Sequence, residues 1–189
     1  MKKILLVISV LSVTFLSKAQ TFSTLKAGLW EDNATVWSTH GDSGAACACS
    51  PGIGMIGKTL VSINNTITSS SLSSMSDSSE VFIGPNDTLI INRNTPLINF
   101  NLSKNAKILV FGTLIIHGNF NITDNTRVST GNGGSITVHG NMSYSGNALI
   151  MGGDVNVYGN AIKSGHGFVM GKVCEINVAT GVKTQIIQQ

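Results

Sequence analysis

Charge is scarce in this 189-residue chain: 11% of its residues are Asp, Glu, Lys or Arg, against 42% hydrophobic. The only arginines are Arg93 and Arg127, and neither is aligned with a pair of acids. Polysaccharide cleavage needs carboxylates or a metal-assisted base gathered with basic groups along one groove, so the scattered acids argue against it. The nucleophile elbow Gly-x-Ser-x-Gly, the zinc motif His-Glu-x-x-His and a phosphate loop are all read as absent. No segment carries the apolar period of a helix. Cysteine is confined to Cys47, Cys49 and Cys174, so at most one internal disulfide forms and one thiol is left over.

The apolar run Ile4–Leu16 follows Lys2 and Lys3 and precedes Ser17-Lys-Ala19, the pattern of a secretory signal peptide cleaved after Ala19. Residues 1–19 are therefore read as the leader, with the working protein starting at Gln20 and destined for secretion, the periplasm or the cell surface. No later apolar run is long enough to span a bilayer. Three of the 12 basic residues lie in the leader, leaving nine against nine acids, so the basic balance belongs to the precursor and nucleic-acid binding loses its support.

What the chain does have is an internal repeat. Asp87-Thr-Leu-Ile-Ile-Asn-Arg-Asn94, Gly112-Thr-Leu-Ile-Ile-His-Gly-Asn119, Gly134-Ser-Ile-Thr-Val-His-Gly-Asn141 and Gly153-Asp-Val-Asn-Val-Tyr-Gly-Asn160 align without gaps, at spacings of 25, 22 and 19 residues. Each copy alternates apolar and polar residues with period two, the signature of a strand. One such unit cannot bury its apolar side alone, but coils stacked at about 4.8 Å share a continuous core. The expected fold is all-β: a single-stranded parallel β-helix, or β-solenoid, of about six coils. Leu89, Leu114, Ile136 and Val155 form one inward column, and Ile91, Ile116, Val138 and Val157 a second. A fifth copy follows if Glu175-Ile-Asn-Val178 is set against Asp154-Val-Asn-Val157. The Gly-Asn closing three copies fits a corner, glycine supplying positive φ and Asn119, Asn141 and Asn160 forming a hydrogen-bonded ladder.

Residues 20–56 lack the repeat and are read as a capping lead-in, with the solenoid spanning 57–189. An open solenoid end exposes its core, so Trp30 and Trp37 are placed as an aromatic plug, with a sugar-stacking platform as the alternative. The serine-rich run 68–79 has the composition of a linker. Ile67, Leu72, Met75, Val81 and Ile83 recur often enough, however, to make it a coil with these residues inward.

The Lys18-Ala19-Gln20 leader ending, the Trp30 and Trp37 lead-in with Pro51, and repeats such as Gly112–Asn119 resemble secreted and surface right-handed parallel β-helix proteins of Bacteroidota. The lead-in is similar to a glycine-rich extracellular module, the G8 domain. The resemblance implies an adhesin-like architecture and leaves activity open.

Candidate sites follow from the columns. Asn92, His117, His139 and Tyr158 share an outward column suited to a sugar or to a soft metal held between two imidazoles. In the fifth register Asp154 and Glu175 stack as a pair of oxygen donors that Lys172 could neutralise; two carboxylates are few for an ion, so no cofactor is expected, with Ca²⁺ as the alternative. His40, Cys47 and Cys49 could hold a metal, Cys47 and Cys49 could form a labile disulfide, or the thiols could stay unpaired within the chain, which is the preferred reading. Cys174 lies roughly 20 Å along the axis from the lead-in, beyond the ~7 Å Cα limit of a bridge.

Three functions remain in play. The first is a non-catalytic module for adhesion, glycan binding or structure, with glycans or surface proteins as partners. The second is a self-associating subunit stacking through the apolar strand Val182–Ile187, and the third a carbohydrate-active enzyme.

Overall fold

The computed structural model describes residues 19–91, 99–177 and 179–186; the leader as far as residue 18, Asn92, Arg93, Val178 and Ile187 lie outside them. Among the described residues every regular element is a strand. They stack as a parallel β-solenoid of about five turns. Five turns between Thr59 and Lys163 carry a strand on each of three faces; the lead-in precedes them and the incomplete turn of Phe168–Ile176 follows.

The first face comprises Gln20–Thr24, Thr59–Ile63, Glu80–Ile83, Lys107–Val110, Arg127–Thr130 and the opening halves of Leu149–Val157 and Phe168–Ile176. On the second lie Gly28–Leu29, Thr66–Ser69, Thr88–Ile91, Thr113–Ile116, Ser135–Val138 and the closing halves of the same two long strands. The third face holds Gly54–Met55, Ser74–Met75, Phe100–Leu102, Phe120–Ile122, Met142–Tyr144 and Ala161–Lys163.

Registers on the second face follow the repeat: Thr88 pairs with Thr113, Thr113 with Ser135, and Ser135 with Asp154. Both inward columns are buried, as the alternation requires. The serine-rich run is a coil, with Ile67, Leu72, Met75, Val81 and Ile83 fully buried. On the third face Phe100 and Phe120 stack inside at 5.6 Å between ring centroids.

Small residues make one corner. Ser79, Ala106, Thr126 and Ala148 each sit one position before a first-face strand and are buried. Their carbonyls accept the N–H of Lys107, Arg127, Leu149 and Phe168, respectively, from the following turn. The chain enters this corner through left-handed residues, among them Asp77, Ser78, Lys104, Asn105, Asp124 and Gly146. A type that is short or tolerates αL is needed there, and no bulky inward side chain fits so tight a reversal.

Two expectations are corrected. Gly140 and Gly159, in the Gly-Asn corners, are not among the glycines at positive φ. They are required by close approach instead: a Cβ on Gly140 would lie 2.6 Å from both Asn119 Oδ1 and the Gly118 carbonyl, and one on Gly159 would meet Asn141 Oδ1 at 2.6 Å. The last register also differs. Asp154 pairs with Lys172, Val155 with Val173, Asn156 with Cys174 and Val157 with Glu175. Because Gly152 is already locked opposite Gly171, placing Glu175 beside Asp154 would take two extra residues in the final turn. The strand instead absorbs a single irregularity at Gly153.

Trp30 and Trp37 are fully buried at the N-terminal end, edge to face at 5.0 Å. The Trp37 indole N–H donates to the Trp30 carbonyl (2.9 Å) and that of Trp30 to the Gly52 carbonyl (2.8 Å). Both indoles thus keep a polar partner while filling the core, and no ring face is left for stacking on a sugar. Glu31 fastens the same segment to the first complete turn: its Oε1 accepts from the Ser69 and Ser71 hydroxyls and the Ser70 and Ser71 N–H groups.

Candidate functional site: a ladder at the corner between two faces

The second-face strands Thr113–Ile116, Ser135–Val138 and Leu149–Val157 each end by handing their next residue to the solvent side of a corner. Their backbone N–H groups hold His117, His139 and Tyr158 in line, bonding the carbonyls of Ile91, Ile116 and Val138 one turn back. The rings therefore stack, His117 on His139 at 4.8 Å and 3°, and His139 on Tyr158 at 5.0 Å and 14°. Asn92, the fourth member of the expected column, lies outside the described residues.

This geometry is unsuited to the metal of the two chemistries considered. An imidazole lone pair lies in the ring plane, and two nearly parallel rings 4.8 Å apart cannot aim their lone pairs at one ion. Among the described residues no group of three or more His, Cys, Asp or Glu is placed to hold a metal. The ladder instead presents ring edges bearing N–H, N and O–H groups at one-turn intervals.

Amides run alongside it. Asn119 donates through Nδ2 to Asn99 Oδ1 (2.9 Å), and its Oδ1 accepts the Asn141 N–H, whose own Oδ1 accepts the Asn160 N–H. The expected Asn119–Asn141–Asn160 ladder is present. A second ladder joins Asn101, Asn121 and Ser143 on the third face.

At its C-terminal end the aromatic ladder opens on a cleft of about 400 Å³ lined by Tyr158, Asn160, Glu175, Asn177 and Thr184 among others. Glu175 Oε1 accepts the Ala161 N–H at 2.7 Å, which fixes the carboxylate at the cleft wall.

The remaining candidates are dispersed. Asp154 and Glu175 do not stack; Asp154 faces Lys172 at 3.7 Å, so the pair expected for Ca²⁺ is not assembled. Cys47 and Cys49 form a disulfide, contrary to the preference for unpaired thiols, and His40 Nδ1 lies 3.2 Å from Thr39 Oγ1. With both sulfurs bonded to each other, the His40, Cys47 and Cys49 metal reading has no thiolate to use. Cys174 is free and buried.

Three features were missed in the sequence. Gly52-Ile-Gly-Met-Ile-Gly-Lys-Thr59 spells the phosphate-loop pattern Gly-x4-Gly-Lys-Thr, but the chain continues into strand Thr59–Ile63 where that motif needs a helix. Thr59 is also buried, so the match is fortuitous. The Glu31 latch joins residues about 40 positions apart and leaves no local signature. Finally, the outward side of the first face carries apolar residues among its charges: Phe82 and Leu109 stand in one register column, which continues through Ser129 to Met151, with Phe111 against Phe82 at 5.5 Å. Alternation in Lys107-Ile-Leu-Val110 and Leu149-Ile-Met151 was the available signal, since both sides of these strands read apolar.

The fold defines a parallel β-solenoid. No family model, curated protein or solved structure matches the chain. No helix among the described residues is long and apolar enough to cross a membrane.

Proposed function

We propose that this chain is an exported, non-catalytic β-solenoid that binds extended glycans of a cell surface or matrix, acting as an adhesion module. The observation that carries this reading is the His117, His139 and Tyr158 ladder leading into the cleft walled by Asn160, Glu175 and Thr184. Aromatic edges, amides, a carboxylate and a hydroxyl along a straight line suit a ligand made of repeated hydroxylated rings. Such a ligand gains by contacting several turns at once, each contributing weakly. A glycan array on the full chain, followed by calorimetry on the strongest hit, tests it. Tyr158→Ala combined with His139→Ala should weaken binding by about tenfold or more, the equivalent of about 1.4 kcal/mol. Retained affinity in that variant, or no glycan bound at all, sinks the reading.

Self-association is the second reading, and one observation favours it. The strand Ala161–Lys163 and the first-face half of Phe168–Ile176 have no strand on their outer side among the described residues, and Ile162, Phe168 and Met170 are exposed there. A free edge beside apolar side chains is a template for a second copy. Light scattering over a range of concentrations, with and without reductant, should show growth that persists in reductant; a constant monomer rejects it.

A further inference from the structure

The Cys47–Cys49 disulfide closes a loop around a single residue, Ala48, whose φ is +50°. A link that short removes very little freedom from the unfolded chain, so it contributes little as a staple. Its position is more telling. The Cys47 N–H donates to the Trp37 carbonyl at 2.9 Å, and five residues on, the Gly52 carbonyl accepts the Trp30 indole N–H at 2.8 Å. The cysteine loop is thus bonded at both ends to the two tryptophans that plug the core. Cys47 and Cys49 are only partly buried and pack against that core, while the third sulfur, Cys174, is buried far along the stack.

We propose that Cys47–Cys49 is a thiol–disulfide exchange site that reports its redox state to the N-terminal plug, its reactants being accessible thiols and disulfides of the glutathione type. An external thiolate attacks one Sγ, the Sγ–Sγ bond breaks, and the other cysteine leaves as a thiolate that takes a proton from water. A second external thiolate then attacks the mixed disulfide, releasing the external pair as a disulfide and leaving both cysteines reduced. Two electrons pass from two external thiols to the protein, and the external disulfide reverses the sequence. On reduction Ala48 is freed from its ring, and the loop loses the constraint that holds the Cys47 N–H on Trp37.

The full chain should be equilibrated in reduced and oxidised glutathione mixtures, with thiols counted by alkylation and mass spectrometry, Trp emission recorded, and strand content followed by circular dichroism. The expected result is that Cys47 and Cys49 become alkylated about tenfold or more faster than buried Cys174. Trp emission should shift at the same glutathione ratio, with the strand signal unchanged. Cys47→Ser and Cys49→Ser should each keep the strand signal, lack the transition, and trap one glutathione on the remaining cysteine. The double variant C47S/C49S should show the reduced-state emission throughout. The proposal is overturned if the pair opens only as the strand signal is lost, if it opens with no change in Trp emission, or if neither single variant captures glutathione. None of these outcomes depends on whether a glycan binds.

Discussion

The two ends of the stack solve the same problem differently. Each has one face closed by an antiparallel strand, Trp37–Ser38 against Gln20–Thr24 at one end and Lys183–Ile186 against Val173–Ile176 at the other. Both also expose apolar side chains, Leu29, Ile53 and Ile56 at the start and Ile162, Phe168 and Met170 at the finish. What separates them is the fate of the inward columns. At the N-terminal end they finish under Trp30 and Trp37, both at 0% exposure with their indole N–H groups satisfied. At the C-terminal end the Met142 and Tyr144 positions are followed in register by Ala161 and Lys163, residues that cannot close a core. In a structure whose stability is roughly a sum of turn and neighbour terms, the last turn is therefore the weakest.

The largest test of this asymmetry is Trp37→Ala against Phe168→Ala. Removing the plug should cost about 3–5 kcal/mol in urea denaturation, as for other buried large-to-small changes, while the exposed ring should change stability by about 0.5 kcal/mol or less. Equal losses would mean that the plug is not what distinguishes the ends. Next in size, Gly140→Ala should lower stability by about 1–3 kcal/mol, since its Cβ would overlap Asn119 Oδ1 and the Gly118 carbonyl. Hydrogen exchange should then show opening at that corner spreading toward the C-terminal turns rather than the plugged end.

Glu31→Gln should cost about 1–3 kcal/mol at neutral pH, by weakening a carboxylate that accepts four hydrogen bonds. Partial burial alone would raise the Glu31 pKa, but the Ser71 and Ser69 hydroxyls and the backbone N–H donors outweigh it and hold it below the ordinary value. Its contribution is complete above the unfolded-state pKa and is lost as pH falls through the lower folded one. Wild-type stability should consequently drop on acidification through that window more steeply than the variant's; parallel pH profiles would remove Glu31 from the cap. The smallest effect is at the far end, where Lys172→Ala breaks an exposed pair with Asp154. Melting with and without salt should find a change of about 0.5 kcal/mol or less.

Much of this was legible in the residues, for a physical reason. Period-two alternation and a repeated octapeptide fix both which side chains point inward and which residues are neighbours one turn away, so Leu89 through Val155 and His117 through Tyr158 could be placed without coordinates. The final turn was misread because local likeness between Glu175-Ile-Asn and Asp154-Val-Asn competed with the first-face register fixed by Leu149 opposite Phe168, a constraint no octapeptide carries. The Glu31 latch and the Gly140 contact were invisible for a related reason: each is set by atoms from different turns, and sequence spacing alone does not say how closely two turns approach.

The strict register has a use that does not depend on any ligand. Successive outward positions on one face, such as Thr113, Ser135 and Asp154, advance by one rung of about 4.8 Å while the sequence advances by 22 and then 19 residues. Corners absorb the differences in length, and the rungs do not. The molecule is in effect a graduated rule, on which a probe attached to a chosen turn lies at a distance from its counterpart known by counting.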